Sequence, residues 1–167
     1  KTKTAAELHL MKNCRTIAYR FATAFGISPR MRLDLLVNDF VNKAVNEKNL
    51  VVYEAHFMRT FIHVYDIARS FLFALENSEQ MAGEVYNVGS SEMNYSKAHV
   101  CEMIKERVDY YLHFADFGED ADKRNYVVCY DKIRDAGYQT SISLQDGIDE
   151  LVKGVVTLRS QSPYSNA

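Results

Sequence analysis

Arg59-Thr60-Phe61-Ile62-His63-Val64-Tyr65-Asp66-Ile67-Ala68 changes its hydrophobic period halfway along. Phe61 to Val64 is a β-type apolar run, whereas Ile67, Ala68, Phe71, Leu72 and Leu75 recur at the three- and four-residue spacing of a helix face. Asp66 falls where a carboxylate in the first helical turn or cap meets unpaired N–H groups. A strand passing into a helix within ten residues points to layered α/β or α+β architecture, and the flanking sequence repeats the alternation.

Upstream, residues 4–13 carry the helix formers Ala5, Ala6, Leu8 and Leu10. Residues 16–22 place Ile17, Tyr19 and Phe21 on one face at period two, a strand that Gly26 and Ser28-Pro29 close in a loop. Leu33, Leu36, Val37, Phe40, Val41, Ala44 and Val45 predict an amphipathic helix over 33–47, and a short strand follows at 50–53. Downstream, a loop is expected at 77–83 and a buried strand at 84–88, stopped by Gly89-Ser90-Ser91. Ser96 is placed to cap a helix carrying Val100, Cys101, Ile104 and Val108. Residues 110–114 and 126–130 read as strands on either side of a charge-dense stretch. A short helix over 131–136 ends at Gly137, and Ser143 with Asp146 forms a capping pair for a last helix through Leu158. Residues 161–167 read as a frayed tail. Two prolines, Pro29 and Pro163, and seven single glycines leave no linker to divide the chain.

The 167 residues are enough to bury a core, and 47% hydrophobic with 25% charged residues is the balance of a folded domain. A net charge of -2 supplies no basic field for a phosphate backbone, so nucleic acid is not an expected partner. No apolar run reaches membrane-spanning length or resembles a secretion signal, so no membrane partner is expected. Three scattered cysteines, Cys14, Cys101 and Cys129, predict reduced thiols and a cytoplasmic setting. The sequence starts at Lys1 without an initiator Met, and the expectation is a piece of a longer protein. It contains no G-x-G-x-x-G or P-loop turn with which to cradle a dinucleotide pyrophosphate.

Four segments, in order, resemble the extended short-chain dehydrogenase/reductases, the NAD-dependent nucleotide-sugar epimerases and dehydratases, and specifically their C-terminal half. Lys1-Thr2-Lys3-Thr4-Ala5-Ala6-Glu7 is similar to the end of the family's Y-x-x-x-K element and the helix after it. Arg20-Phe21-Ala22-Thr23-Ala24-Phe25-Gly26 resembles R-Y-F-N-V-Y-G. Arg59 to Ala68 resembles R-D-F-I-H-V-x-D-x-A, and Gly83-Glu84-Val85-Tyr86-Asn87-Val88-Gly89-Ser90 resembles G-x-x-Y-N-V-G-S.

The resemblance implies an α/β fold, the C-terminal part of a Rossmann-type enzyme with a mixed α/β substrate-binding lobe, the N-terminal Rossmann half lying outside this sequence. Residues 1–26 would be the last helix and strand of the dinucleotide-binding core, 27–158 the substrate lobe with elements packing back on that core, and 159–167 a flexible tail. It implies a parent enzyme that binds NAD or NADP mainly through the N-terminal half, forms a homodimer and acts on a nucleotide sugar by transient oxidation of a sugar hydroxyl. Lys3 matches the catalytic lysine, and the tyrosine it serves would lie two residues before Lys1. An ammonium beside that tyrosine lowers its pKa and can also hold the cofactor ribose. Phe21 would approach the nicotinamide through its backbone. Thr23 stands where an Asn commonly touches the sugar nucleotide. Arg59 would meet the diphosphate, for which a planar, permanently charged guanidinium is suited. Asp122 matches an aspartate that can contact the ribose, and Arg124 lies close enough to substitute for a second arginine. The isolated chain, without the tyrosine, is expected to be inactive.

The departures fall on the substrate side. The family's glycine-containing loop reads Glu54-Ala55-His56-Phe57, and its later R-x-G-D reads Glu119-Asp120-Ala121-Asp122. These motivate an alternative: a non-catalytic ligand-binding or interaction module that keeps the scaffold. Read without the resemblance, Arg59 is an ion-paired residue before a strand and His63 a packed, hydrogen-bonded histidine rather than a base. No His or Cys spacing fits a metal site, the acidic residues 116–122 lack the alternation of a calcium loop, and no nucleophile elbow is present. Apolar surface on Leu8, Ile17 and Phe21 is where another half would pack.

Overall fold

A computed structural model of the protein describes residues 2–118 and 122–158. The elements in chain order are α1 (Thr2–Asn13), β1 (Ala18–Phe21), β2 (Thr23–Phe25), α2 (Leu36–Asn46), β3 (Asn49–Tyr53), β4 (Met58–His63), α3 (Val64–Glu76), α4 (Ser78–Met81), β5 (Val85–Val88), β6 (Asn94–Ser96), α5 (Lys97–Lys105), β7 (Tyr111–Ala115), α6 (Asp131–Asp135) and α7 (Leu144–Leu158). β1 pairs with β5 and β3 with β7, both parallel; β4 lies between β2, parallel to it, and β6, antiparallel.

β4 is the centre of the molecule. Five of its six residues are buried, which is the condition of a strand covered on both faces. Because successive side chains point to opposite faces, Phe61 and Ile62 enter different cores. Phe61 joins Phe25, Val37, Val41, Val100, Ile104, Ile148 and Leu151 beneath α2, α5 and α7. Ile62 joins Ala22, Val88, Tyr130, Ile133 and Tyr138.

The helix after β4 begins as the sequence indicates, with a refinement. His63 is the N-cap, its Nδ1 accepting from Tyr65 N, while Asp66 sits in the first turn, fully buried. The Asp66 carboxylate accepts from Ser141 N, Ser141 Oγ and Ile142 N at 2.9–3.1 Å and pairs with Arg69 at 2.8 Å, and Tyr138 OH donates to its carbonyl. A residue legible as a helix-start signal thus also anchors the segment leading into α7. His63 is packed as expected, edge-on to Phe25, with Nε2 2.9 Å from Glu150 Oε2 but not aligned for a hydrogen bond.

Several expectations are corrected. The run 16–22 is ordered as a strand only over β1, and a second short strand, β2, which the sequence reading did not mark, follows in a different sheet. α2 starts three residues later than its apolar pattern, because Leu35 is extended and Asp34 is held by Arg32 in a two-pronged pair. The loop at 77–83 contains α4, and β6 was not foreseen. Residues 126–130 form no strand: the Asn94 side chain brackets Val128, donating to its carbonyl at 3.0 Å and accepting from its N–H at 3.1 Å, and so takes the place of a neighbouring strand. The capping assignments hold, with Ser96 Oγ accepting from His99 N and Ser143 Oγ from Asp146 N. Gly137 ends α6 at φ +103. Glu54 adopts φ +50, a left-handed conformation more easily reached by glycine. Residues 159–167, including the expected tail, lie outside the described residues.

Candidate functional site

Strand register assembles the site. Thr23 is paired with Phe61 across the parallel β2–β4 ladder, and Arg59, two residues before Phe61, shares its face. Thr23 and Arg59 therefore project from the same side of neighbouring strands. α2 supplies the opposite wall through Leu36, Asp39 and Phe40, with Asp34 and Leu35 just ahead of it. Asp122 and Arg124 close the fourth side, giving a cavity of about 190 Å³.

All four expected substrate-contacting residues, Thr23, Arg59, Asp122 and Arg124, line this one cavity. Arg59 is only 2% exposed. Its Nη1 donates to Met58 O at 3.2 Å, its Nη2 donates to Asp122 O at 2.8 Å and lies 3.2 Å from Asp122 Oδ1, and its guanidinium lies 5.8 Å from the Tyr126 ring centroid. Arg124 grips the same carboxylate, through Nε to Oδ1 at 2.6 Å and through Nη2 to Oδ2. The Arg124 hydrogen bonds, with the charge of Arg59 behind them, pull the Asp122 carboxyl down to about 2. One anion is thus held between two guanidinium groups.

Lys3 and Phe21 do not line this cavity. Lys3 lies exposed on α1, which is fastened to β1 by a two-pronged Arg20–Glu7 pair at 2.5 and 2.8 Å. Phe21 ends β1, opposite Val88 at the end of β5, with its ring partly exposed and packed on Tyr19 and Phe71. The carboxyl ends of parallel strands are where α/β sheets receive ligands. Asp34, Leu36, Asp39 and Phe40 were missed as site residues because they belong to the stretch read as plain amphipathic helix. Of the expected R-x-G-D replacement, Glu119, Asp120 and Ala121 lie outside the described residues.

A mixed α/β unit with parallel strand pairs and a cation-bearing cavity beside β4 has the architecture of the Rossmann-related class. The family model described as the NAD dependent epimerase/dehydratase family matches residues 2–89, just over half of the chain, and the protein belongs to that family. A low-salt glycan biosynthesis protein, Agl12 of Haloferax volcanii, is 29% identical over 160 residues, which are 90% of this chain and 50% of that one. The same fold occurs in UDP-glucose 4-epimerase of Thermotoga maritima, solved with UDP-glucose (18% identity, TM-score 0.78, 95% of this chain and 52% of that one). It occurs again in UDP-glucuronic acid 4-epimerase of Bacillus cereus, solved with UDP-glucuronic acid and NAD (22% identity, TM-score 0.76, 94% and 52%). The chain spans about half the length of these relatives.

Phe21 at the close of β1 and Lys3 on the helix tied to that strand are both exposed, and they are the two residues to test against the nicotinamide dinucleotide that the family name implies.

Proposed function

We propose that this chain is the C-terminal, sugar-nucleotide-binding portion of an NAD(P)-dependent epimerase or dehydratase. The observation that carries the reading is the convergence of Thr23, Arg59, Asp122 and Arg124, from three separate stretches of sequence, on one cavity. Two guanidinium groups side by side suit a diphosphate, which offers both charge and paired oxygens. Thr23 Oγ1 and the carboxylates of Asp34 and Asp39 supply acceptors for sugar or ribose hydroxyls. Residues 1–26 belong in this reading to the dinucleotide-binding core and residues 27–158 to the substrate lobe, with β5 returning to pair with β1.

The bound dinucleotide supplies the hydride acceptor for oxidation of a sugar hydroxyl. Lys3 provides a positive charge that favours the ionised form of a neighbouring tyrosine and a donor for a ribose oxygen. Phe21 presents backbone at the strand end and an apolar ring that keeps water from the reacting face. The parent enzyme is a homodimer in this reading.

Calorimetric titration with UDP-glucose tests the reading. Binding that Arg124→Gln weakens about tenfold or more supports it, since losing one charged partner of an anion costs that much; absence of binding overturns it. A second reading, a binding module without turnover, is favoured by Thr23 in the position where Asn is common. Turnover by the chain joined to its upstream half, lost on Lys3→Met, decides for the enzyme.

A further inference from the structure

The groups that would receive a diphosphate are already engaged. Arg59 Nη2 meets both the main chain and the carboxylate of Asp122, and Arg124 holds both carboxylate oxygens. With these contacts in place Arg59 is 2% exposed, and the cavity beside it, about 190 Å³, falls short of the ~300 Å³ at which ligand pockets usually begin. A guanidinium so covered has no face left for a second bidentate anion.

We propose that the Asp122 carboxylate is a built-in occupant of the anion position, so that a diphosphate ligand enters by displacing it from Arg59 and Arg124. This rests on the diphosphate reading of the site given above. The arrangement follows from elementary electrostatics. A buried guanidinium without an anion carries an uncompensated desolvation cost, so an unliganded site of this kind gains from a local carboxylate. Asp122 is suited to leave: its side chain is 39% exposed and can turn to solvent, releasing Arg59 and the 65% exposed Arg124 for the incoming anion. Exchange replaces one negative charge by about two, which favours a phosphate-bearing ligand over a carboxylate one. It also enlarges the cavity only when the correct anion is present.

Inorganic pyrophosphate binding to the 167-residue chain, followed by calorimetry, tests this. Asp122→Asn keeps size and main-chain contact but removes the competing charge, and is expected to bind pyrophosphate about tenfold more tightly than the unaltered chain. In the unaltered chain, pyrophosphate should speed amide hydrogen exchange at Arg124, whose N–H now donates to Asp122 Oδ1 at 3.3 Å. This second measurement needs no variant to fold. Binding by the unaltered chain with equal or weaker binding by Asp122→Asn, or slower exchange at Arg124, overturns the displacement and leaves the diphosphate site standing. Absence of pyrophosphate binding in both forms overturns the displacement and the site reading together.

Discussion

Asp66 and Ser141 stand 75 positions apart, yet the Asp66 carboxylate accepts both the Ser141 main-chain N–H and its hydroxyl, at 3.0 and 2.9 Å. The pair joins the first turn of α3 to the entry of α7, and with the neighbouring bond from Ile142 N it settles how the C-terminal helix lies against β4. Asp66→Ala would leave these donors without their acceptor in a buried position. The expected loss is about 3 kcal/mol in urea unfolding, with Asp66→Asn losing less because one acceptor oxygen remains.

Two glycines of α7 differ in what surrounds them. A Cβ at Gly147 would stand 2.3 Å from the ring of Phe25, which is fully buried and flanked by His63. One at Gly154 would meet the terminal methyl of Ile27, which can rotate away. Gly147→Ala is therefore expected to cost about 1–3 kcal/mol, as overpacking does. Gly154→Ala should be close to neutral, since the gain in helix propensity, about 1 kcal/mol, offsets the adjustment of Ile27. Thermal unfolding of the two variants side by side checks the contrast.

The Asp122 carboxyl is held down to about 2 from an ordinary 3.8 by Arg124 hydrogen bonds and the charge of Arg59. A depressed carboxyl adds stability above its unfolded-state value and loses it as pH falls through the folded one. The stability difference between the unaltered chain and Asp122→Asn should be constant from pH 7 to 5 and shrink between about pH 4 and 2. Urea midpoints across that range would show it; a difference unchanged at pH 2 would refute it.

Burial pushes the Cys101 thiol up to about 12, whereas Cys14 and Cys129 are exposed. An aromatic disulfide reagent at pH 8 should titrate two thiols in the folded chain and the third only on unfolding. Prompt reaction of all three would mean that α5 is not packed as described.

α3 turns an inverted face to its surroundings. Asp66 and Ser70 are buried, while Phe71, Leu72 and Leu75 are exposed, Leu75 at 74%. Phe21 lies beside Phe71 and, like Leu8 on α1, is exposed as expected, whereas Ile17 is partly buried against the second core, and the apolar face read for 67–75 is in part turned outward. Leu72→Gln with Leu75→Gln should lower self-association in light scattering while changing stability by no more than about 0.5 kcal/mol each.

The order of strands and helices was legible because it rests on local periodicity. β4 into α3, the caps at Ser96 and Ser143, and the stop at Gly137 depend on residues within one or two turns of each other. Where pairing partners lie far away the local pattern misleads. Residues 126–130 alternate like a strand but are held by the side chain of Asn94, and β2 and β6 are too short to announce themselves without β4.

Four motifs read along the chain carried the family resemblance and pointed to Thr23, Arg59, Asp122 and Arg124 one by one. That they share a cavity with Asp34 and Asp39, and that Asp122 lies between the two arginines, emerges from the folded chain alone. Periodicity and motif spacing are properties of neighbours along the chain. The meeting of Arg59 with a carboxylate 63 residues later depends instead on how distant segments pack and on the need of a buried charge for a counter-charge.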